Sequence, residues 1–363
     1  MLSTRRRGVL ALSVVMLALA GGLTSCRWPR PPATTTTTTS PPVTAPPTTA
    51  PTTAPPSTAP PSTAPPTTKP AGSTTKSVRY GPYTVPAASG STMGMLENKI
   101  AGNVEKPCTD CYITGMRATL VNAAGTVVNV SDGLWLHHMV IADQSKQDLT
   151  CPGRGPGLLG QRFFSSGNER TPTDGMAGYG YPQGTNSRWN LIYDLMNMTA
   201  QPANVTIRVD FDYVPLSTPG MKPLTPIWLD INQCGNSERP ALEGKFTYDY
   251  TLTSQWTGKL LGIAGHLHDG GVNVAISKNG QEVCSSRAVY GGTPAYIESS
   301  NSLHMPGMAH ISKMTLCNGT PANPVTSIVP GDTIHLAANY DMTQNHSDGH
   351  PVMGIAIGYW DLG

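Results

Sequence analysis

Residues 262–271 read GIAGHLHDGG, with His266 and His268 two positions apart among glycines and aliphatic residues. Alternate side chains of a strand share a face, so the two imidazoles project together. Gly262 and Ala264 precede them on that face and leave space above it, whereas Leu261, Ile263 and Leu267 fill the other. Two such rings form a bidentate seat for a metal ion; the plainer reading is a solvent-facing pair on an edge strand. A second pair, His137 and His138 in LWLHHMVIA, occupies adjacent positions. Adjacent strand residues face opposite sides, so both reach one metal only where the strand bulges or ends. In a regular strand, one would enter the core and the other would face solvent. A thioether is the third element. Met353 heads the last apolar run, in GHPVMGIAIGYW. Alternation groups it with Ile355, Ile357 and Tyr359, as for a packing methionine. Were its sulfur to meet His266 and His268, two nitrogens and one soft sulfur would favour copper over zinc or hard cations.

The other histidines carry weaker signals. His304 and His310 flank MPGM in a Met/His-rich stretch that could recruit Cu(I) but reads more simply as a flexible surface loop. His346 and His350 read as turn residues, the latter close enough to Met353 to line the same site, and His335 within a strand has no assigned role. GYGYPQG reads as a tyrosine-bearing loop. No G-x-S-x-G, P-loop or H-E-x-x-H sequence occurs.

In order, LHHMVI, GHLHDGG and GDTIHLAANYDMTQNHSDGHPVMGIAIGYW resemble the copper- and ascorbate-dependent monooxygenases, peptidylglycine α-hydroxylating monooxygenase and dopamine β-hydroxylase; plant Nod19-like proteins share the motifs. The resemblance spans about Trp135 to Trp360. It implies two jelly-roll-like sandwiches, each with one copper, facing a solvent-filled cleft. It implies His266, His268 and Met353 as ligands of the oxygen-activating copper and His137 and His138 as ligands of the electron-donating copper. The implied activity is hydroxylation of a C–H bond with O2 and an external reductant such as ascorbate.

The chain also departs from the family. The electron-donating copper has a third histidine on a later strand, whereas RWNLIYDLMNMT has none and places Asp194 there. A carboxylate stabilises Cu(I) poorly, so that site would be altered, weak or absent, with Asp194 either a ligand or an exposed acid. Ala264 replaces the arginine that binds the substrate carboxylate of the amidating enzyme, and Ile355 and Ile357 replace its asparagine and tyrosine. The expected substrate is therefore apolar or neutral, not a peptidylglycine. Two non-catalytic alternatives are a lipid-anchored protein that sequesters or passes on Cu(I), and a sandwich that binds glycans or proteins.

Short strands must position these residues. From about Ser77, runs rich in Val, Ile, Thr and Tyr alternate with Gly, Pro, Asn and Asp, and Asn279-Gly280 is a hairpin turn. No long segment has a helical apolar stripe. The expected fold is all-β, with two antiparallel jelly-roll-like sandwiches at 77–216 and 217–363 joined within the proline-rich segment Val214 to Pro226. Residues 1–26 read as a signal peptide with a basic start, an apolar run and LTSC, which resembles a bacterial lipobox and implies lipidation of Cys26. Residues 27–76 are a Pro/Thr-rich disordered tether. The expected location is the bacterial cell envelope, outside the cytoplasm, with membrane contact through the lipid alone. The remaining six cysteines favour disulfides, Cys284 with Cys317 being plausible partners; CTDC is followed by a strand-like run, which argues against redox catalysis. A net charge of +2 gives no field for nucleic acid, leaving a small molecule or peptide as substrate.

Overall fold

The computed structural model describes residues 69–90, 92–152, 160–174, 176–300, 302, 305–344 and 350–363. The signal peptide, Cys26, most of the tether, His304 and His346 lie outside the described residues. The described residues belong to one compact unit.

The chain is all-β: among the described residues the only helical turns are the 3-10 segments Val130–Asp132 and Pro294–Tyr296. Among the described residues, twenty strands form four small sheets. The first orders β1 (Thr74–Val85), β9 (Ala203–Pro215), β3 (Cys111–Asn122), β7 (Tyr179–Gln183) and β10 (Lys222–Pro223), with β4 (Val127–Val128) on β3. The second orders β2 (Gly94–Val104), β8 (Trp189–Asn197), β5 (Leu134–Asp143) and β6 (Gln161–Gly167). The third orders β11 (Thr225–Asp230), β20 (Gly354–Asp361), β13 (Gly258–Leu267) and β17 (Leu316–Asn318), with β18 (Thr326–Ile328) on β13. The fourth orders β12 (Lys245–Thr253), β19 (Thr333–Asp341), β14 (Gly271–Lys278), β15 (Gln281–Tyr290) and β16 (Ile311–Met314). Only the β7–β10 pair is parallel. No strand pair in these sheets joins residues up to Pro223 to residues from Thr225 onward.

Burial patterns show which layers are central. β12 alternates exposed and half-buried residues, as a strand with one wet face does, while β5, β8 and β20 are buried nearly throughout. β20 divides its faces between two cores. Ile355, Ile357 and Tyr359 pack with Leu136, Met139 and Phe163, while Ala356 and Trp360 pack with Leu260 and Ile263. Burial of each large aliphatic side chain there contributes about 2 kcal/mol. The second and third sheets thus meet face to face, and the candidate site lies between them.

Four expectations need adjustment. Strand pairing begins before Ser77, because Thr74, Thr75 and Lys76 pair with Tyr213, Asp212 and Phe211 of β9. GYGYPQG is largely β7, its Tyr181 stacked on Phe163 at 4.3 Å. The MPGM region does not leave His310 on the surface: the side chain is fully buried between two carboxylates. Leu261 does not share a core with Ile263 and Leu267, because a register shift between Leu260 and Gly262 turns it towards the β5–β6 side. The Asn279-Gly280 hairpin is present, both residues having positive φ between Lys278 and Gln281, as a type I′ turn requires. Disulfides join Cys108 to Cys111, Cys151 to Cys234 and Cys284 to Cys317; the second ties a loop of the first half to one of the second.

Candidate metal centre

β5 meets the condition its adjacent histidines impose. In its pairing with β8, Leu136 lies opposite Leu195 and His138 opposite Asp194, so His137 is an extra residue at a bulge. The bulge breaks the alternation, and the two rings lie 4.2 Å apart. Opposite them, β13 runs in register with β20 through His266 and ends at Leu267, one residue before His268. Tyr340 Oη accepts from the His268 amide at 3.2 Å, and its hydroxyl donates to the Met353 carbonyl.

The four rings converge. His268 lies 4.7 Å from His137 and 5.6 Å from His138, and His266 lies 6.0 Å from His138 and 5.5 Å from His268. One nitrogen from each of His137, His138 and His268 falls within 4.8 Å of the others. Metal–nitrogen bonds of about 2.0 Å in a tetrahedral ion put ligand nitrogens roughly 3.3 Å apart, so small side-chain rotations close the set. The histidine pairs expected on two separate coppers thus share one cluster. His350 adds a fifth ring, 5.5 Å from His137.

Hydrogen bonding fixes which nitrogens are left for an ion. His268 Nδ1 lies 2.6 Å from the Pro351 carbonyl, which can only accept, so this nitrogen carries the proton. His138 Nδ1 lies 3.3 Å from Asp194 Oδ2, while Asp194 Oδ1 accepts the Asn98 amide at 2.6 Å. Burial pushes the Asp194 carboxyl up to about 6. His266 Nδ1 meets Glu169 Oε1 at 3.1 Å. Burial alone would raise the Glu169 pKa, but the adjacent His266 ring and hydrogen bonds outweigh it and hold the carboxyl below its usual value. The other nitrogens of His138 and His266, and both of His137, are buried without a hydrogen-bond partner. Burial first, then the neighbouring rings, holds His137 and His138 well below the ordinary histidine pKa. Neutral rings with buried, unpartnered nitrogens are the donors a borderline transition metal needs.

Met353 is buried and lines a cavity of about 510 Å³ with His138, Asp194 and His266. Trp228, Ile192 and Ile355 complete much of its wall. Arg162 also lines it, but Asp148 binds its guanidinium at 2.7 Å and its charge sits 4.5 Å over the Trp228 ring. Ala264 and Ile357 line a separate space of about 300 Å³ that also reaches His266. His335 is half-buried beside Asp249 and is not among the residues lining these walls.

Two features escaped sequence reasoning. Glu169 is a lone acid after β6 with no pattern to mark it. His310 pairs with Asp269, which directly follows His268, and its Nε2 lies 3.4 Å from Glu298; despite burial, the two acids raise its pKa to about 9.

A largely buried, all-histidine cluster between two β-sheets is a donor set suited to ions such as copper. No protein-family model matches the chain. "Probable copper-dependent oxygenase M1" of Phoma sp. (strain ATCC 20986 / MF5453) is 33% identical over 296 residues, 78% of this chain and 72% of the relative. "Probable copper-dependent oxygenase clz3" of Cochliobolus lunatus is 31% identical over 257 residues, 67% and 77% of the respective chains. The chain belongs to this family of copper-dependent oxygenases. Among solved structures, a peptide-N(4)-(N-acetyl-β-D-glucosaminyl)asparagine amidase covers 79% of this chain and 96% of its own at 13% identity and a TM-score of 0.38, too distant a likeness to carry an argument.

Proposed function

We propose that the protein is a copper-dependent monooxygenase that hydroxylates a C–H bond of a neutral, largely apolar substrate, using O2 and an external reductant such as ascorbate. The observation that carries this reading is the convergence of His137, His138, His266 and His268, with buried nitrogens left unpartnered on three of them. His137, His138 and His268 would hold the ion, with His266 and Met353 completing the donor set on the cavity side. Copper, when bound, supplies one-electron redox chemistry and activation of O2.

The chain's own residues do the rest. Pro351 and Asp194 hold His268 and His138 by Nδ1. Trp228, Ile192 and Ile355 provide an apolar seat against that wall and keep water from the reacting carbon. Among the described residues no lysine lines the cavity, and the arginine that does, Arg162, is paired with Asp148, so these walls offer a substrate carboxylate no unpaired cation. A copper store or carrier has no need of such a chamber beside its ligands, which favours catalysis over sequestration.

The same proposal takes the two sheet pairs as jelly-roll-like sandwiches and the chain as a bacterial envelope lipoprotein anchored through Cys26. The test is to load the purified chain with copper, measure metal stoichiometry, and follow O2 uptake with ascorbate and a panel of neutral hydrophobic compounds. Stoichiometric copper and substrate-dependent uptake are expected. Absence of bound copper, or uptake indifferent to every compound while charged analogues are turned over, would overturn the reading.

A further inference from the structure

Glu169 lies just beyond β6, in the first half of the chain, yet its carboxylate meets a histidine 97 residues later, on β13. Oε1 accepts from His266 Nδ1 at 3.1 Å and from the Gly167 amide at 3.2 Å. With Nδ1 engaged, His266 turns Nε2 away from the acid, and that nitrogen is buried and unpartnered. The seat depends on the absence of a side chain at 167. A Cβ there would lie 2.4 Å from both Glu169 Oε2 and His266 Cε1, and 2.7 Å from His266 Nδ1. Glu169 is itself buried, and a buried carboxylate is tolerated where an opposite charge and hydrogen bonds compensate it. A cation held through the other edge of the same imidazole supplies that charge.

We propose that Glu169 is a positioning residue: from a seat that only glycine at 167 leaves open, it holds His266 by Nδ1 and aims Nε2 at the copper ion. This rests on the metal-binding role assigned to His266 above. Ligating histidines depend on such partners for ring orientation and basicity, and losing one costs about 10- to 100-fold in metal affinity.

The experiment uses the full chain, with Cu(II) alone as the ligand, chelator competition for affinity and EPR for the ligand field. His266→Ala is the reference. Glu169→Ala should bind Cu(II) about 10- to 100-fold more weakly with altered hyperfine splitting, while circular dichroism remains that of the parent. Glu169→Gln, whose amide oxygen still accepts from Nδ1, should recover most of the affinity. Gly167→Ala should shift the spectrum in the direction of Glu169→Ala. If His266→Ala loses affinity while Glu169→Ala keeps parental affinity and spectrum, the positioning role is overturned and the metal reading stands. If His266→Ala changes nothing, the assignment of His266 as a ligand is wrong and the role of Glu169 falls with it. Should Glu169→Ala fail to fold, Gly167→Ala decides in its place, because its Cβ would intrude on both the Glu169 carboxylate and the His266 ring: Cu(II) affinity and hyperfine splitting equal to the parent's overturn the proposal.

Discussion

The histidine cluster and the lone buried His310 sit on the two sides of Trp135 and Asp269, and they differ in their neighbours. His137 and His138 face other imidazoles, and burial with mutual repulsion keeps them neutral. His310 faces Asp269 and Glu298 and carries charge. The chain switches between these regimes within one step, because His268 joins the cluster and Asp269 turns to His310. β5 does the same on the other side: Trp135 packs edge-on against His310 at 4.4 Å, and His137, two positions on, enters the cluster. Burial alone therefore does not decide what a histidine does. A ring among rings offers lone pairs, while a ring between acids becomes a structural cation.

The sharpest way to break that contrast is to remove a ring from each set. A four-ligand metal site is worth about 10–16 kcal/mol, so one ligand carries roughly 3–4 kcal/mol, or two to three powers of ten in affinity. His137→Ala and His268→Ala should each lose copper by that margin in a competition titration. His310→Gln should retain copper at the parent's stoichiometry. Equal losses in all three would show that His310 belongs to the metal centre and that the two sets are one.

The next effect lies in pH. The folded-state pKa of His310, about 9, lies above the ordinary value of 6.5, so between these values the folded chain binds more protons than the unfolded one. The stabilisation is complete below about pH 6.5 and is lost as pH rises through 9. At 1.36 kcal/mol per unit its size is about 3 kcal/mol. Denaturant unfolding of the parent at several pH values should show this fall, and His310→Gln should flatten it. A parent curve that stays level from pH 6.5 to 9 would mean that His310 is neutral and the contrast fails.

How far the sequence could be read depends on how local each feature is. The strand character and the Asn279-Gly280 turn follow from short-range rules and are present; Cys284 and Cys317, 33 residues apart, were plausible partners in the sequence, and a disulfide joins them. Strand periodicity grouped His266 with His268; the rings lie 5.5 Å apart, although β13 ends at Leu267 and His268 is placed by the turn that follows. His137 and His138 were legible as a condition, that the strand bulge, but the bulge is set by how β5 pairs with β8, which no local pattern encodes. Asp194 was placed by register with a family ligand; it lies opposite His138, and its contact with His138 Nδ1 required side-chain coordinates. Leu261 was assigned to the wrong face because one register shift inverts alternation beyond it. Glu169 and Asp269 were invisible because each meets its histidine only after segments 97 and 41 residues apart fold together, and Glu298 because no pattern marks the loop that turns it onto His310.

The smallest predicted effect tests the thioether. Met353→Leu nearly conserves volume, so folding stability should change by less than about 1.5 kcal/mol. If the sulfur only fills the cavity wall beside His266, neither Cu(I) nor Cu(II) affinity should move. As a soft ligand it should instead strengthen Cu(I) binding selectively, and its loss should weaken Cu(I) by roughly tenfold while Cu(II) changes little. Parallel titrations against chelators for the two oxidation states separate these outcomes. The selective loss is expected, because Met353 brings a soft thioether to the wall it shares with His138 and His266. Equal affinities for parent and variant would make Met353 a packing residue and leave the centre wholly nitrogen-ligated.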